Sequence, residues 1–205
     1  MSNSVINPGQ TNFDIPQEQK AHHSEHPDLR LTGVIVFLIA EGMIFFGMFI
    51  AYLTFRANSP IWPPEGTERL ELLLPSINTA ILIASSFVIH NGDTAIKNND
   101  VKGLKLWFGI TALMGIIFLS GQLYEYYHLG FGLRTNIFAS TFYVLTGFHG
   151  LHVTFGVILI LAVLWRSMKT GHYSSKKHFG IEAAEIYWHF VDIIWIILFL
   201  LLYIL

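Results

Sequence analysis

Five long apolar stretches constrain this chain more than anything else in it. Their cores are Leu31–Phe55, Leu72–His90, Leu106–Tyr124, Ile137–Trp165 and Ile186–Leu205. The first holds one acidic residue, Glu41, and the next three hold no Asp, Glu, Lys or Arg. The fifth carries His189 and Asp192. Crossing a hydrocarbon core takes ~20 apolar residues, and all five meet that length or its lower limit. Lipid offers no partner to a backbone N–H or C=O, so each stretch must satisfy its own backbone as a helix. Helices are therefore expected over about residues 31–55, 72–90, 104–127, 137–165 and 182–204. The fold class is all-α, an integral membrane bundle of five transmembrane helices. Composition agrees: charged residues are 13 % of the chain and hydrophobic ones 53 %, against about 25 % charged in a soluble domain.

The remaining segments leave no room for a second domain. Residues 1–30 form a polar tail with Asp14, Glu18, Glu25 and Asp28 and no apolar signal core, so helix 1 is expected to insert uncleaved. Residues 31–205 form the membrane domain. Asn58–Gly66 breaks the chain after helix 1. Asn91–Asp93 and Asn98–Asp100 are expected to break it after helix 2, His128–Asn136 after helix 3, and the basic segment Arg166–Gly180 after helix 4. No internal repeat is visible.

Lys and Arg counts set the orientation. The side holding the N-tail and the loops after helices 2 and 4 carries Lys20, Arg30, Lys97, Lys102, Lys105, Arg166, Lys169, Lys176 and Lys177, nine in all. Arg56, Arg69 and Arg134 make three on the other side. The N-terminus is expected in the cytoplasm and the C-terminus outside. A net charge of −2 without a basic stripe gives nucleic acid nothing to bind. With no cysteine, disulfides, iron–sulfur clusters and thiolate zinc sites are excluded.

Function must come from the polar residues that a bilayer penalises, by roughly 2.5–3.5 kcal/mol for an ionised group at a helix centre. Glu41 lies about ten residues into helix 1, ~15 Å deep. It is either an interhelical hydrogen bonder or a proton-linked group, and His149 and His152 on helix 4 lie at comparable depth. Those two histidines are three apart and share a face. They are either neutral hydrogen-bond partners or a metal or haem pair. Gly147, Gly150 and Gly156 beside them admit a close neighbour.

On helix 5, Glu182, Glu185, His189 and Asp192 recur at three, four and three and form one polar face. That face is expected to meet another subunit, with a water path as the alternative. Asn78, Thr79, Ser85 and Ser86 on helix 2, and Gln122 and Glu125 on helix 3, are expected to pack helices together. The aromatics ending helix 3 suit an interfacial belt. His22, His23 and His26 belong to the solvated tail.

These ordered pieces resemble subunit III of the haem–copper oxidases, in the cytochrome c oxidase form or its quinol oxidase relatives. The resemblance is carried by Phe37-Leu-x-x-Glu41, by Pro75-x-x-Asn78-Thr79 with Ser85-Ser86 and His90, and by Trp107, Thr111, Gly115 and Gln122-x-x-Glu125-Tyr126. It continues in Thr146-Gly-Phe-His149-Gly-x-His152-Val and Glu185-x-x-Trp188-His189-Phe-Val-Asp192 with Trp195. The long form of that family looks like seven helices around a lipid-filled cleft, and this chain resembles only the last five.

The resemblance implies an accessory subunit of a proton-pumping terminal oxidase in a bacterial cell membrane. It would stabilise subunit I and support proton uptake as dioxygen is reduced to water. Haem and copper are then expected in subunits I and II, its partners. Here no catalytic centre, cofactor or metal is expected, and a bound phospholipid is compatible. Two other classes are a membrane metalloenzyme built on His149, His152, Glu185 and His189, and a small transporter or channel. The first would show denser histidine clusters and the second a repeat or interrupted helices.

Overall fold

The computed structural model describes residues 29–65, 67, 70–169 and 171–205. The N-tail up to residue 28, with its acidic residues, Lys20 and its histidines, lies outside the described residues, as does Arg69. Among the described residues, five helices are long and apolar enough to span a membrane. They are α1 (Leu29–Ala57), α2 (Leu73–Lys97), α3 (Val101–His128), α4 (Ile137–Ser167) and α5 (Phe179–Phe199). A π-helical turn, Leu200–Ile204, extends α5.

Helix α2 is longer than the sequence suggests. Asn91-Gly92-Asp93 reads as a break, yet the helix continues to Lys97. Gly92 is accepted because the Phe108 ring of α3 occupies the space where a side chain would stand, 2.5 Å from the would-be Cβ. Asp93 is buried and pairs with Lys97 one turn on. The break comes at Asn98–Asp100. Asn99 takes the left-handed conformation (φ 57°), which asparagine tolerates. Asp100 then caps α3 by accepting from the Lys102 and Gly103 amides. Asn136 caps α4 by accepting from Ala139.

Helices α2, α3, α4 and α5 pack in a closed ring, α2 on α3, α3 on α4, α4 on α5 and α5 on α2. Helix α1 lies outside the ring against α5 and α4. Only one stripe of α1 is buried: Leu38, Phe45, Phe49 and Tyr52. These residues lie seven, four and three apart, on one side of a helix. Val36, Ile39, Met43, Phe46 and Ile50 face outward, as lipid or an apolar partner requires.

Trp188 ties the ring together. It is fully buried on α5, and its indole N–H donates to Ser85 Oγ of α2 at 2.8 Å. Its ring fills the space beside Gly115 of α3 and Gly156 of α4, where an added Cβ would lie 2.6 Å and 2.8 Å from it. One side chain thus contacts three neighbouring helices, and two of those contacts need glycine. Of the helix 4 glycines expected to admit a neighbour, Gly156 does so. Gly150 has nothing within 4 Å, and Gly147 meets only the Tyr126 hydroxyl at 3.8 Å. Both point away from the tight crossing.

Candidate functional site: intramembrane polar clusters

The polar residues singled out by depth fall into three clusters and one isolated histidine. The first cluster joins α1 to α4. Glu41 Oε2 lies 3.1 Å from His152 Nε2, near the middle of both helices. The other ring nitrogen of His152, Nδ1, lies 2.8 Å from the Phe148 carbonyl. A carbonyl only accepts, so Nδ1 must carry hydrogen. A neutral His152 then presents a lone pair at Nε2, and Glu41 must supply the proton between them. In the alternative charge state that same proton sits on Nε2 and Glu41 is ionised. Both arrangements hold equal numbers of protons, so the pair shares one proton along one bond. Phe45 and Phe148 pack around the imidazole, with centroids 4.9 Å and 4.7 Å away. Tyr187 donates to the His152 carbonyl at 3.3 Å.

His149 takes no part in this. It sits one turn earlier on α4, fully buried, stacked on Trp195 at 4.9 Å and edge-on to Phe118 at 5.9 Å. Neither ring nitrogen has a hydrogen-bond partner among the described residues. The two histidines share a helix but serve different neighbours: His152 turns to α1, His149 to α3 and α5. His152 bonds across helices to Glu41, whereas His149 makes no hydrogen bond to any described residue.

The second cluster lines the α2–α5 contact. Glu185 Oε1 lies 2.8 Å from His90 Nδ1 and 3.6 Å from His189 Nε2. His189 Nδ1 lies 3.1 Å from Ser86 Oγ, and the Ser86 hydroxyl donates to the Asp192 carboxylate. The polar face of helix 5 was expected to meet another subunit. Instead it meets α2 of its own chain, because Ser86 and His90 recur at helical spacing opposite it. Sequence reasoning treated Asp93 as a loop residue and so missed it. The signal was present: His90 and Asp93 are three apart, at helical spacing. The outer edge of the cluster stays open, with the side chains of His90 and His189 exposed by 63 % and 38 %.

The third cluster lies at the other end of the bundle. Gln122 donates to Glu125 Oε2 at 3.0 Å, and the Tyr203 hydroxyl donates to Glu125 Oε1 at 2.9 Å. The π-helical turn carries Tyr203 there. Nearby, Tyr126 and Thr146 share a hydrogen bond of 2.6 Å. Thr79 accepts from the Trp195 indole at 2.9 Å and donates to the Pro75 carbonyl at 2.7 Å. The Asn78 amide rests against Gly121 of α3. Tyr124 and Tyr127 face outward, as belt residues do.

Comparison with known proteins adds an independent line. A family model described as cytochrome c oxidase subunit III matches residues 14–205. A cytochrome c oxidase subunit 3 of Synechocystis is 66 % identical over 190 residues, covering 93 % of this chain and 81 % of that one. The subunit 3 of Thermostichus vulcanus is 63 % identical over 184 residues, covering 90 % and 91 %. A probable subunit 3 of Nocardia farcinica is 42 % identical over 190 residues, covering 90 % and 92 %.

Proposed function

The chain belongs to the cytochrome c oxidase subunit III family, and from that premise we propose how it serves the complex. It is a multi-pass membrane protein and an accessory subunit of a terminal oxidase. Its work is to brace subunit I, in contact with subunit II and with lipid, and to support proton uptake while that subunit reduces dioxygen. The N-terminus faces the cytoplasm, in keeping with the excess of Lys and Arg on that side. No redox centre resides in this chain.

One observation carries the last statement. A haem or copper ion needs ligands that converge with free lone pairs. His149 is closed in between Trp195 and Phe118. Both nitrogens of His152 are engaged, by Glu41 and by Phe148. The two rings therefore do not converge on a common point, and the mid-membrane residues do not fit a haem or a redox copper. Glu41 and His152 fit interhelical bonding and His149 fits close aromatic packing, both of which fix the shape of the subunit.

The test is to purify the complex through an affinity tag on this chain and identify its partners by mass. Co-purification of haem- and copper-bearing oxidase subunits with cytochrome c-dependent oxygen uptake supports the proposal. Recovery of this chain without oxidase subunits overturns it.

A further inference from the structure

We propose that His90, Asp93, Glu185 and His189 form a binding site for a divalent metal ion of borderline softness, such as zinc. The donors come in two pairs, three and four residues apart, on the antiparallel helices α2 and α5. Two pairs at such spacing on facing helices are how bundle proteins assemble metal sites. His90, Asp93 and Glu185 each offer one ligand atom, and these atoms all lie within 4.8 Å of one another. Glu185 Oε1 stands 2.8 Å from His90 Nδ1 and 3.6 Å from His189 Nε2. Ligands around a four-coordinate ion at 2.0–2.2 Å are spaced ~3.4 Å apart. The two Glu185 spacings straddle that value, while His189 stands outside the group of three, so its ring must swing inward to complete the set.

Two further features point to a cation here. The first is the tautomer of His189. The Ser86 hydroxyl gives its one hydrogen to Asp192, so its oxygen accepts from His189 Nδ1–H. That leaves Nε2 turned towards Glu185, in the position from which a ring nitrogen can join the carboxylate on a shared cation. The chain Asp192–Ser86–His189 is the kind of outer support that orients a histidine ligand. The second is Asp93. This residue is 1 % exposed, Lys97 engages its Oδ2, and its Oδ1 has no hydrogen-bond partner among the described residues.

The site lies near the end of the bundle where α2 finishes and α5 begins. His90 is ~10 Å from Lys97 along α2, and Glu185 ~9 Å from Phe179 along α5. The exposed His90 leaves a way in. Imidazole and carboxylate donors without thiolate suit zinc. Zinc is redox-inactive, so the site stands beside the proposal that this chain carries no redox centre. The sequence alone assigned no metal because the donors are about 95 residues apart and Asp93 read as a turn.

Zinc titration of the full chain, purified in detergent and stripped with a chelator, tests the site. Calorimetry should show one saturable equivalent that also raises the unfolding temperature. Glu185→Gln and His90→Gln should each weaken it at least ~10-fold, and Ser86→Ala, which frees His189, ~10–100-fold. His128→Gln, at the opposite end, should leave it unchanged. Glutamine at 185 keeps the volume and can still bond His90. Should Glu185→Gln misfold, the largely exposed His90 supplies the deciding variant. An equivalent that survives both His90→Gln and Ser86→Ala overturns the proposal, as does the lack of any saturable equivalent. Binding of that kind would belong to the N-terminal histidines or to no site.

Discussion

Replacing Glu41 separates a structural bond from a proton-carrying one. The Glu41–His152 bond joins α1, the peripheral helix, to the ring. Glu41→Leu leaves His152 Nε2 without its partner. An orphaned buried acceptor costs ~1–3 kcal/mol. The site is not fully closed, with the two side chains exposed by 22 % and 12 %. Interhelical hydrogen bonds in membranes also couple by only ~0.6 kcal/mol on average and ~1.7 at most.

The expected loss is therefore ~1 kcal/mol, about fivefold in the ratio of folded to unfolded protein. Glu41→Gln should stay within ~0.5 kcal/mol of the wild type, since an amide N–H can donate to Nε2 as the protonated carboxyl does. Equilibrium unfolding in mixed micelles, with a double-mutant cycle against His152→Phe, measures both. Glu41→Gln proving as damaging as Glu41→Leu would refute the neutral arrangement, in which the carboxyl donates to Nε2, and make the pair ionic. In the assembled oxidase, Glu41→Gln should leave assembly, electron transfer and proton pumping intact. A fall in pumping alone would show that Glu41 exchanges protons.

Three more outcomes follow from the packing and the charge pattern. Gly156→Ala, pressing a methyl against the Trp188 ring, should destabilise the bundle by ~1–3 kcal/mol, whereas Gly150→Ala, in open space, should be neutral; equal unfolding midpoints for the two would contradict the assigned contact. Asp192→Leu removes the acceptor of the Ser86 hydroxyl and loosens the α2–α5 contact, lowering either the thermal stability of the chain or its retention in the complex; a variant oxidase with unchanged subunit content and stability would count against it. Reporter fusions after Lys177 and after Leu205 should report opposite sides of the membrane, and the same side for both would mean that the topology is wrong.

The five helices were legible because a bilayer allows an apolar run of such length one solution. The end of α2 was not, because Asn91-Gly92-Asp93 has turn composition and only tertiary context keeps it helical: Phe108 over Gly92 and Lys97 on Asp93. Depth along the helices was enough to bring Glu41 to the level of His149 and His152. Choosing between the two histidines required knowing which side of α4 faces α1. For α5, the polar periodicity showed that Glu185, His189 and Asp192 share a face. That the face meets α2 was hidden, since His90 and Ser86 become its partners only when the ring closes. The role of Trp188 was equally invisible, because Gly115 and Gly156 are distant in sequence and meet only across its ring.

The proposal that this chain shapes the oxidase without holding its electrons is put at risk by metal analysis of the complex made without it. Oxidase purified from a strain lacking the chain should retain its full haem and copper content per subunit I and still oxidise cytochrome c, while losing stability. A stoichiometric loss of haem or copper upon removal of this chain alone, from a complex whose other subunits remain assembled, would contradict it.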